Sequence, residues 1–257
     1  MLIRSASGLR GIVKNDFSPQ MIEQYVASFI SNQNISSCVI GRDGRPSGKD
    51  IAQWVTNALI KYGVSVDNCD LATTPTMQLM TEKDKYDGGI VITASHNPYT
   101  DNGIKVFHNG NKLSHDLELG IEDYIDNNEG FMITKLGELY SGEEVLDLYL
   151  DLIEKLDLYT TDLRVGLDSA NGANYLIAQG IYQELAESLI QIGKDPDGKN
   201  INAKIVYEDQ EWPLEMCSGM EKFVSGLAIR VALINVCNLP RPNFLVIDEG
   251  FGTLDSD

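Results

Sequence analysis

The segment Gly89-Ile90-Val91-Ile92-Thr93 constrains this chain more than any other. An unbroken apolar run of that length, closed by glycine and turn residues, suits a strand buried on both faces of a sheet. Helix-period segments precede it. After Ser18-Pro19, which places a capping serine before a proline at the first helical position, Ile22, Tyr25, Val26, Phe29 and Ile30 fall on one face. Ser37-Cys38-Val39-Ile40-Gly41 reads as a strand, a turn rich in glycine and charge follows, and Ile51, Val55 and Leu59 mark a second helix. Strands are expected over residues 64–71 and 103–107, with turns at Asn97-Pro98 and at Asp101-Asn102-Gly103. This alternation predicts an α/β layered domain with a largely parallel or mixed sheet over residues 1–155.

A second unit is expected from residue 156 to 203. It opens with the strand Leu163-Arg164-Val165-Gly166-Leu167, turns at Asp168-Ser169-Ala170-Asn171-Gly172 and continues as a helix through Ala178 and Leu185. Beyond Pro196-Asp197-Gly198-Lys199-Asn200 the character changes. Lys204-Ile205-Val206-Tyr207 and Phe244-Leu245-Val246-Ile247 read as strands, with a helix over residues 221–236 between them. With 257 residues and 43% hydrophobic content, the chain is long enough for one large or two modest cores.

A net charge of −18 repels nucleic acid and anionic lipid at long range, so any polyanion needs a local cluster of arginine and lysine. The four cysteines, Cys38, Cys69, Cys217 and Cys237, are far apart and show no metal or redox spacing, which suits a reducing compartment. The N-terminus becomes polar before a signal-peptide core could form, and no apolar run is long enough to span a bilayer. A cytoplasmic protein is expected. The sequon Asn34-Ile35-Ser36 is then a chance match.

Ser95 stands at the carboxyl end of the buried strand, where α/β proteins place ligands. A serine that accepts phosphate acquires a charge near −2 and needs basic neighbours or a metal. Arg10, Arg42, Arg45 and Lys105 lie on segments able to converge there, and Asn97 adjoins the serine. A serine hydrolase is the nearest rival, but G-x-S-x-G is missing, and side chains of consecutive residues such as Ser95 and His96 point apart on an extended backbone. A turn-capping serine is the plainer reading of Ser-His-Asn-Pro alone. Residues 41–48 do not form a nucleotide P-loop, because the glycine spacing is wrong and Lys49 precedes Asp50. His108 and His115 match no motif and are expected on a solvated surface.

The run Thr93-Ala94-Ser95-His96-Asn97-Pro98 with Asn102-Gly103-Ile104-Lys105-Val106 resembles the active-site segment of the α-D-phosphohexomutases, the phosphoglucomutase and phosphomannomutase family. Ser7-Gly8-Leu9-Arg10-Gly11, Gly41-Arg42-Asp43-Gly44-Arg45-Pro46-Ser47-Gly48 and Thr73-Thr74-Pro75-Thr76 agree with it in the same order. Residues 168–172 and 196–202 resemble its second domain. The resemblance implies that Ser95 carries a phosphate, exchanging it with a hexose or hexosamine phosphate through a bisphosphate. It makes Lys105 the general base or acid, Arg10 an anchor for the phosphoserine region, and His96 a supporting group. Arg42, Arg45 and Asn97 form the phosphate neighbourhood, and magnesium binds an oxygen of the Ser95 phosphate. The family's aspartate-rich metal loop, sugar-recognition loop and later phosphate-binding loop do not occur in this sequence.

Residues 204–257 carry a different resemblance. Cys217-Ser218-Gly219-Met220-Glu221-Lys222 looks like the signature motif of ABC-type ATPases. Phe244-Leu245-Val246-Ile247-Asp248-Glu249 looks like a Walker B strand, and Gly252-Thr253-Leu254-Asp255 like the following D-loop. Together they resemble the C-terminal lobe of SMC and DNA double-strand-break repair ATPases. Under that alternative Ser218, Gly219, Glu221, Asp248, Glu249 and Asp255 would be the site residues, ATP the cofactor and DNA the partner. The P-loop and heptad arms of such proteins are missing, so the expectation is a short ATPase-like fragment joined near Ala203 to the front of a phosphohexomutase.

Overall fold

The computed structural model describes residues 3–5, 8–82, 85–95, 97–113, 135–156, 161–200, 204–207 and 210–213. The chain divides into two compact units, residues 1–156 with 197–199, and residues 157–196 with 200–257.

The first unit begins with an antiparallel pair, β1 (Ile3–Ser5) and β2 (Gly8–Ile12), and a single helical turn, α1 (Val13–Asp16). Helix α2 (Pro19–Gln33) starts as expected: the Ser18 hydroxyl accepts from the Met21 N–H at 3.2 Å, with Pro19 at the first position. It ends at Asn34, whose φ of 58° supplies the left-handed stop. Next come β3 (Ser37–Arg42), α3 (Gly48–Lys61), β4 (Ser65–Leu71), α4 (Thr74–Glu82), β5 (Gly88–Ile92), β6 (Asp101–His108), β7 (Asn111–Lys112), β8 (Leu139–Ser141) and α5 (Glu143–Glu154).

The sheet runs β1-β2-β6-β5-β3-β4-β8, with β7 beside β6. β5, β3, β4 and β8 are parallel, and β6 and β2 extend that core antiparallel, so the sheet is mixed. Alternation along the strands serves two cores. Cys38, Ile40, Ile90, Ile92, Ile104 and Val106 pack with α2 and α3, whereas Val39, Val91 and Phe107 pack with Met77 and Met80 of α4 and Val145 of α5. All five residues of β5 are buried. The apolar run is continuous because both faces of its strand are covered.

Several features of the first unit depart from the sequence reading. α4 and α5 were not anticipated; α4 is only nine residues long, and its threonines and methionines mark no clear apolar stripe. Asp101-Asn102-Gly103 is not a turn but the start of β6, and the reversal falls between Pro98 and Asp101, whose N–H donates to the Pro98 carbonyl at 3.0 Å. His108 is half-buried rather than solvated, with Nδ1 donating to the Asp87 carbonyl at 2.7 Å.

In the second unit β9 (Thr161–Asp168) leads through a turn to α6 (Tyr175–Leu185) and then to β10 (Ala186–Ile192), parallel to β9. Ala170 and Asn171 sit at φ 46° and 51° in that turn. The expected strand at Lys204–Tyr207 is present as β11 and pairs antiparallel with β12 (Gln210–Pro213). The helix expected over 221–236 and the strand over 244–247 lie outside the described residues. No helix among the described residues is long and apolar enough to cross a membrane.

Candidate functional site

The loop from Thr93 to Thr100 joins two neighbouring strands of the sheet, β5 and β6. Thr93 and Ala94 are still buried, and Ser95 is the first exposed residue. Its φ of 60° lies in the left-handed region, where a side chain with a Cβ is strained. The loop closes because the Thr93 N–H donates to the Gly103 carbonyl at 2.9 Å and the Asn97 N–H to the Ala94 carbonyl at 3.2 Å. Gly103 permits the close return: a Cβ there would lie 2.5 Å from the Leu9 carbonyl oxygen and 2.7 Å from that of Thr93.

Beneath the loop lies Arg45, with 0% side-chain exposure. Its Nη2 donates to the carbonyls of Ser95 at 2.7 Å and Asn97 at 2.9 Å. Its Nη1 donates to those of Pro98 at 2.5 Å and Asp101 at 3.0 Å. Nε donates to Asp43 Oδ2 at 2.9 Å. These are all five donors of a guanidinium. Asp43 also accepts from the Thr93 hydroxyl at 2.6 Å, and Thr93 Oγ1 accepts the Ser95 N–H at 2.9 Å. The loop after β3 and the loop after β5 are therefore tied through one ionic group. Asn102 adds a second tie, donating to Ser47 Oγ at 2.9 Å.

Arg10, on β2, donates from Nη1 to Asn97 Oδ1 at 3.1 Å, and Asn97 Nδ2 donates to Asp101 Oδ2 at 2.9 Å. Lys105, on β6 opposite Val91, is half-buried. Burial holds its ammonium below the ordinary lysine value, and the nearby cations Lys112 and Arg10 push the same way, while Asp43 opposes them. Lys105 makes no ion pair among the described residues. Arg42 points elsewhere: Nε and Nη2 meet Asp70 Oδ1 at 2.7 and 2.6 Å, and Nη1 donates to the Asp43 carbonyl at 3.0 Å.

The structure thus brings together Ser95, Asn97, Arg10 and Arg45 through direct contacts, with Lys105 in electrostatic reach of Arg10. It leaves Arg45 no open donor toward Ser95, and the Arg42 contacts go to Asp70 and Asp43. His96 lies outside the described residues, as do Ser218, Gly219, Glu221, Asp248, Glu249 and Asp255. Thr93 and Asp43 belong to the site and were not singled out from sequence as functional. The available signal was the Asp-x-Arg spacing of Asp43 and Arg45 in the glycine-rich turn.

Magnesium does not fit the described residues by themselves. No group of three or more His, Cys, Asp or Glu among them is placed to hold a metal. The carboxylates nearest the serine loop, Asp43 and Asp101, already accept hydrogen bonds from Arg45, Thr93 and Asn97.

Fold and site define an α/β/α domain that presents one strained, exposed serine from a braced loop at its strand ends. The model of the family described as phosphoglucomutase/phosphomannomutase, alpha/beta/alpha domain I, matches residues 1–131, and the chain belongs to that family. The phosphoglucosamine mutase of Deinococcus deserti is 39% identical over 168 residues, 64% of this chain and 38% of that protein. That of Nautilia profundicola is 35% identical over 210 residues, 79% of this chain and 48% of the relative. The chain spans less than half the length of these relatives. Among solved structures, a phosphoglucomutase/phosphomannomutase family protein from Burkholderia thailandensis aligns with a TM-score of 0.65 at 24% identity, over 78% of this chain and 46% of the other. The parafusin phosphoglucomutase of Paramecium, in its open form, aligns with a TM-score of 0.57 at 19% identity, over 78% and 46% of the two chains. At those identities both speak to fold alone.

Proposed function

We propose that Ser95 is the phosphate carrier of an intramolecular phosphotransferase acting on a hexose or hexosamine phosphate. The observation that carries this reading is the setting of the serine, an exposed hydroxyl at the carboxyl end of a buried strand with two cationic groups, Arg10 and Lys105, on β2 and β6. The names of the relatives, phosphoglucosamine mutases, favour the hexosamine.

In the forward half-reaction a hydroxyl of the sugar phosphate attacks the phosphorus of phospho-Ser95. The sugar O–P bond forms as the P–Oγ bond breaks. Neutral Lys105 takes the proton from the sugar hydroxyl and returns it to Ser95 Oγ, a role favoured by a depressed ammonium pKa. When the bisphosphate has turned round, Ser95 Oγ attacks the other phosphorus and the same proton path runs in reverse. Arg10 binds phosphate oxygens and is aimed by Asn97. His96 supports the serine from the adjacent position. Arg45 adds positive charge from beneath the loop while its hydrogen bonds hold protein groups, and Arg42, turned to Asp70, contributes its charge from farther off. Magnesium, which the family resemblance implies, would neutralise charge on the Ser95 phosphate when bound.

We take residues 1–155 as the phosphoserine domain, 156–203 as part of a second mutase domain and 204–257 as the ATPase-like tail, in a cytoplasmic protein. The tail reading rests on motif order, and sequencing the gene across the codons for residues 200–207 tests the junction. Incubation with a hexose 1,6-bisphosphate followed by phosphopeptide mass spectrometry tests the central reading. Phosphate should appear on Ser95 and vanish in Ser95→Ala. An unmodified Ser95, or unchanged labelling of the variant, would refute it.

A further inference from the structure

We infer that Arg45 and Thr93 are positioning residues for phosphoryl transfer, which together hold Ser95 in its left-handed backbone conformation and so set the rate at which its Oγ gains or loses phosphate. The inference rests on the phosphoserine reading and deepens it. A charged side chain with no exposure is a poor way to gain stability, because its desolvation offsets most of what its contacts return. Arg45 tolerates burial because every donor is satisfied, and four of the five bonds go to main-chain carbonyls of the serine loop and the first residue of β6, those of Ser95, Asn97, Pro98 and Asp101. Those carbonyls converge inward on one planar cation. A lysine could not reproduce this fork, since its three donors radiate from one point.

Both main-chain polar groups of Ser95 are held. The carbonyl accepts from Arg45 Nη2 and the N–H donates to Thr93 Oγ1, and each holder is fixed by Asp43. A φ of 60° on a serine relaxes unless its surroundings over-determine it. Clamping the residue on either side of its Cα leaves the hydroxyl no alternative backbone setting. In-line attack at phosphorus depends steeply on that placement.

The test uses the full chain and a hexose 1,6-bisphosphate as probe, following Ser95 phosphorylation by mass spectrometry across a concentration series. In Arg45→Lys the maximal labelling rate should fall on the order of 100-fold with the half-saturating concentration unchanged. Thr93→Val should slow it by about tenfold or more, and Thr93→Ser, which restores the hydroxyl, should recover it. A role confined to stability would lower the melting temperature of these variants and leave the maximal rate of the folded protein alone. Wild-type rates in Arg45→Lys or Thr93→Val, or a Thr93→Ser as slow as the valine variant, would overturn the inference while leaving the phosphoserine assignment intact. If Arg45→Lys does not fold, the Thr93 pair decides. If the wild-type chain is never labelled, the phosphoserine reading fails and this inference with it.

Discussion

Arg45 Nη2 lies 2.7 Å from the carbonyl oxygen of Ser95, so a side chain with no solvent exposure grips the backbone of an exposed residue at φ 60°. Strain held in this way is measurable. Glycine adopts the left-handed region freely, whereas a Cβ there costs about 1–2 kcal/mol; the greater freedom of glycine in the unfolded chain takes back about 0.4–1 kcal/mol. Ser95→Gly should therefore be more stable than wild type by about 0.5–1 kcal/mol, and Ser95→Ala, which keeps the Cβ, should not. Urea unfolding of the three proteins decides it; equal midpoints for the glycine and alanine variants would mean that the backbone is relaxed.

The elements that were legible in the sequence are those whose signal is local. Ser18-Pro19 and the apolar spacing of α2 announce a helix start, and β5 announces a strand covered on both faces. α4 was hidden because nine residues with scattered methionines carry little periodicity, and β10 because helix passes to strand at Leu185-Ala186 without a glycine or proline. For the site, the sequence pointed to Ser95 and to basic residues on neighbouring segments, but not to the direction each side chain takes. Positive charge suggested that Arg45 faced a phosphate, yet its fork matches carbonyls that come together only in the fold. Thr93 and Asp43 escaped for the same reason, since their contacts cross fifty residues of chain.

Gly103 should be nearly irreplaceable. Alanine there would place its Cβ against two main-chain oxygens, at 2.5 and 2.7 Å, and neither can swing away as a side chain would. We expect Gly103→Ala to destabilise the first unit by about 2–3 kcal/mol, by forcing β2 from β6. Gly166→Ala, where nothing lies within 4 Å, is the control and should stay within about 0.5 kcal/mol. Similar losses in thermal or urea unfolding would contradict the packing described at β6.

The thiols of β3 and β4 should be inert in the native protein. Burial pushes Cys38 far above the ordinary thiol range, and burial together with the Asp67 charge raises Cys69 to about 12. At pH 8 the reactive thiolate of Cys69 is then roughly one part in ten thousand. Iodoacetamide at that pH should leave both peptides unmodified until guanidinium unfolds the chain. Prompt alkylation of either under native conditions would mean that the sheet interior opens readily.

Lys105 links the chemistry to pH. Burial and the cations Lys112 and Arg10 hold its ammonium below the ordinary value of 10.5, so the folded protein releases this proton at a pH where the unfolded chain still binds it. Between the lowered value and 10.5 the unfolded state carries more protons, and Lys105 contributes stability that grows as pH rises through that window. The proposed transfer from phospho-Ser95 to a sugar hydroxyl would need the neutral amine, so its rate should rise over the lower edge of the same window. A phosphoserine titrates near pH 6, well separated from this limb. Lys105→Met should abolish the alkaline rise in rate, flatten the stability profile, and leave the protein no less stable at pH 7, since the stem still packs and the cationic repulsion is gone. Single-turnover transfer and urea midpoints, both followed from pH 7 to pH 10, would separate these effects; an alkaline rise that survives in the methionine variant would assign the proton to another group.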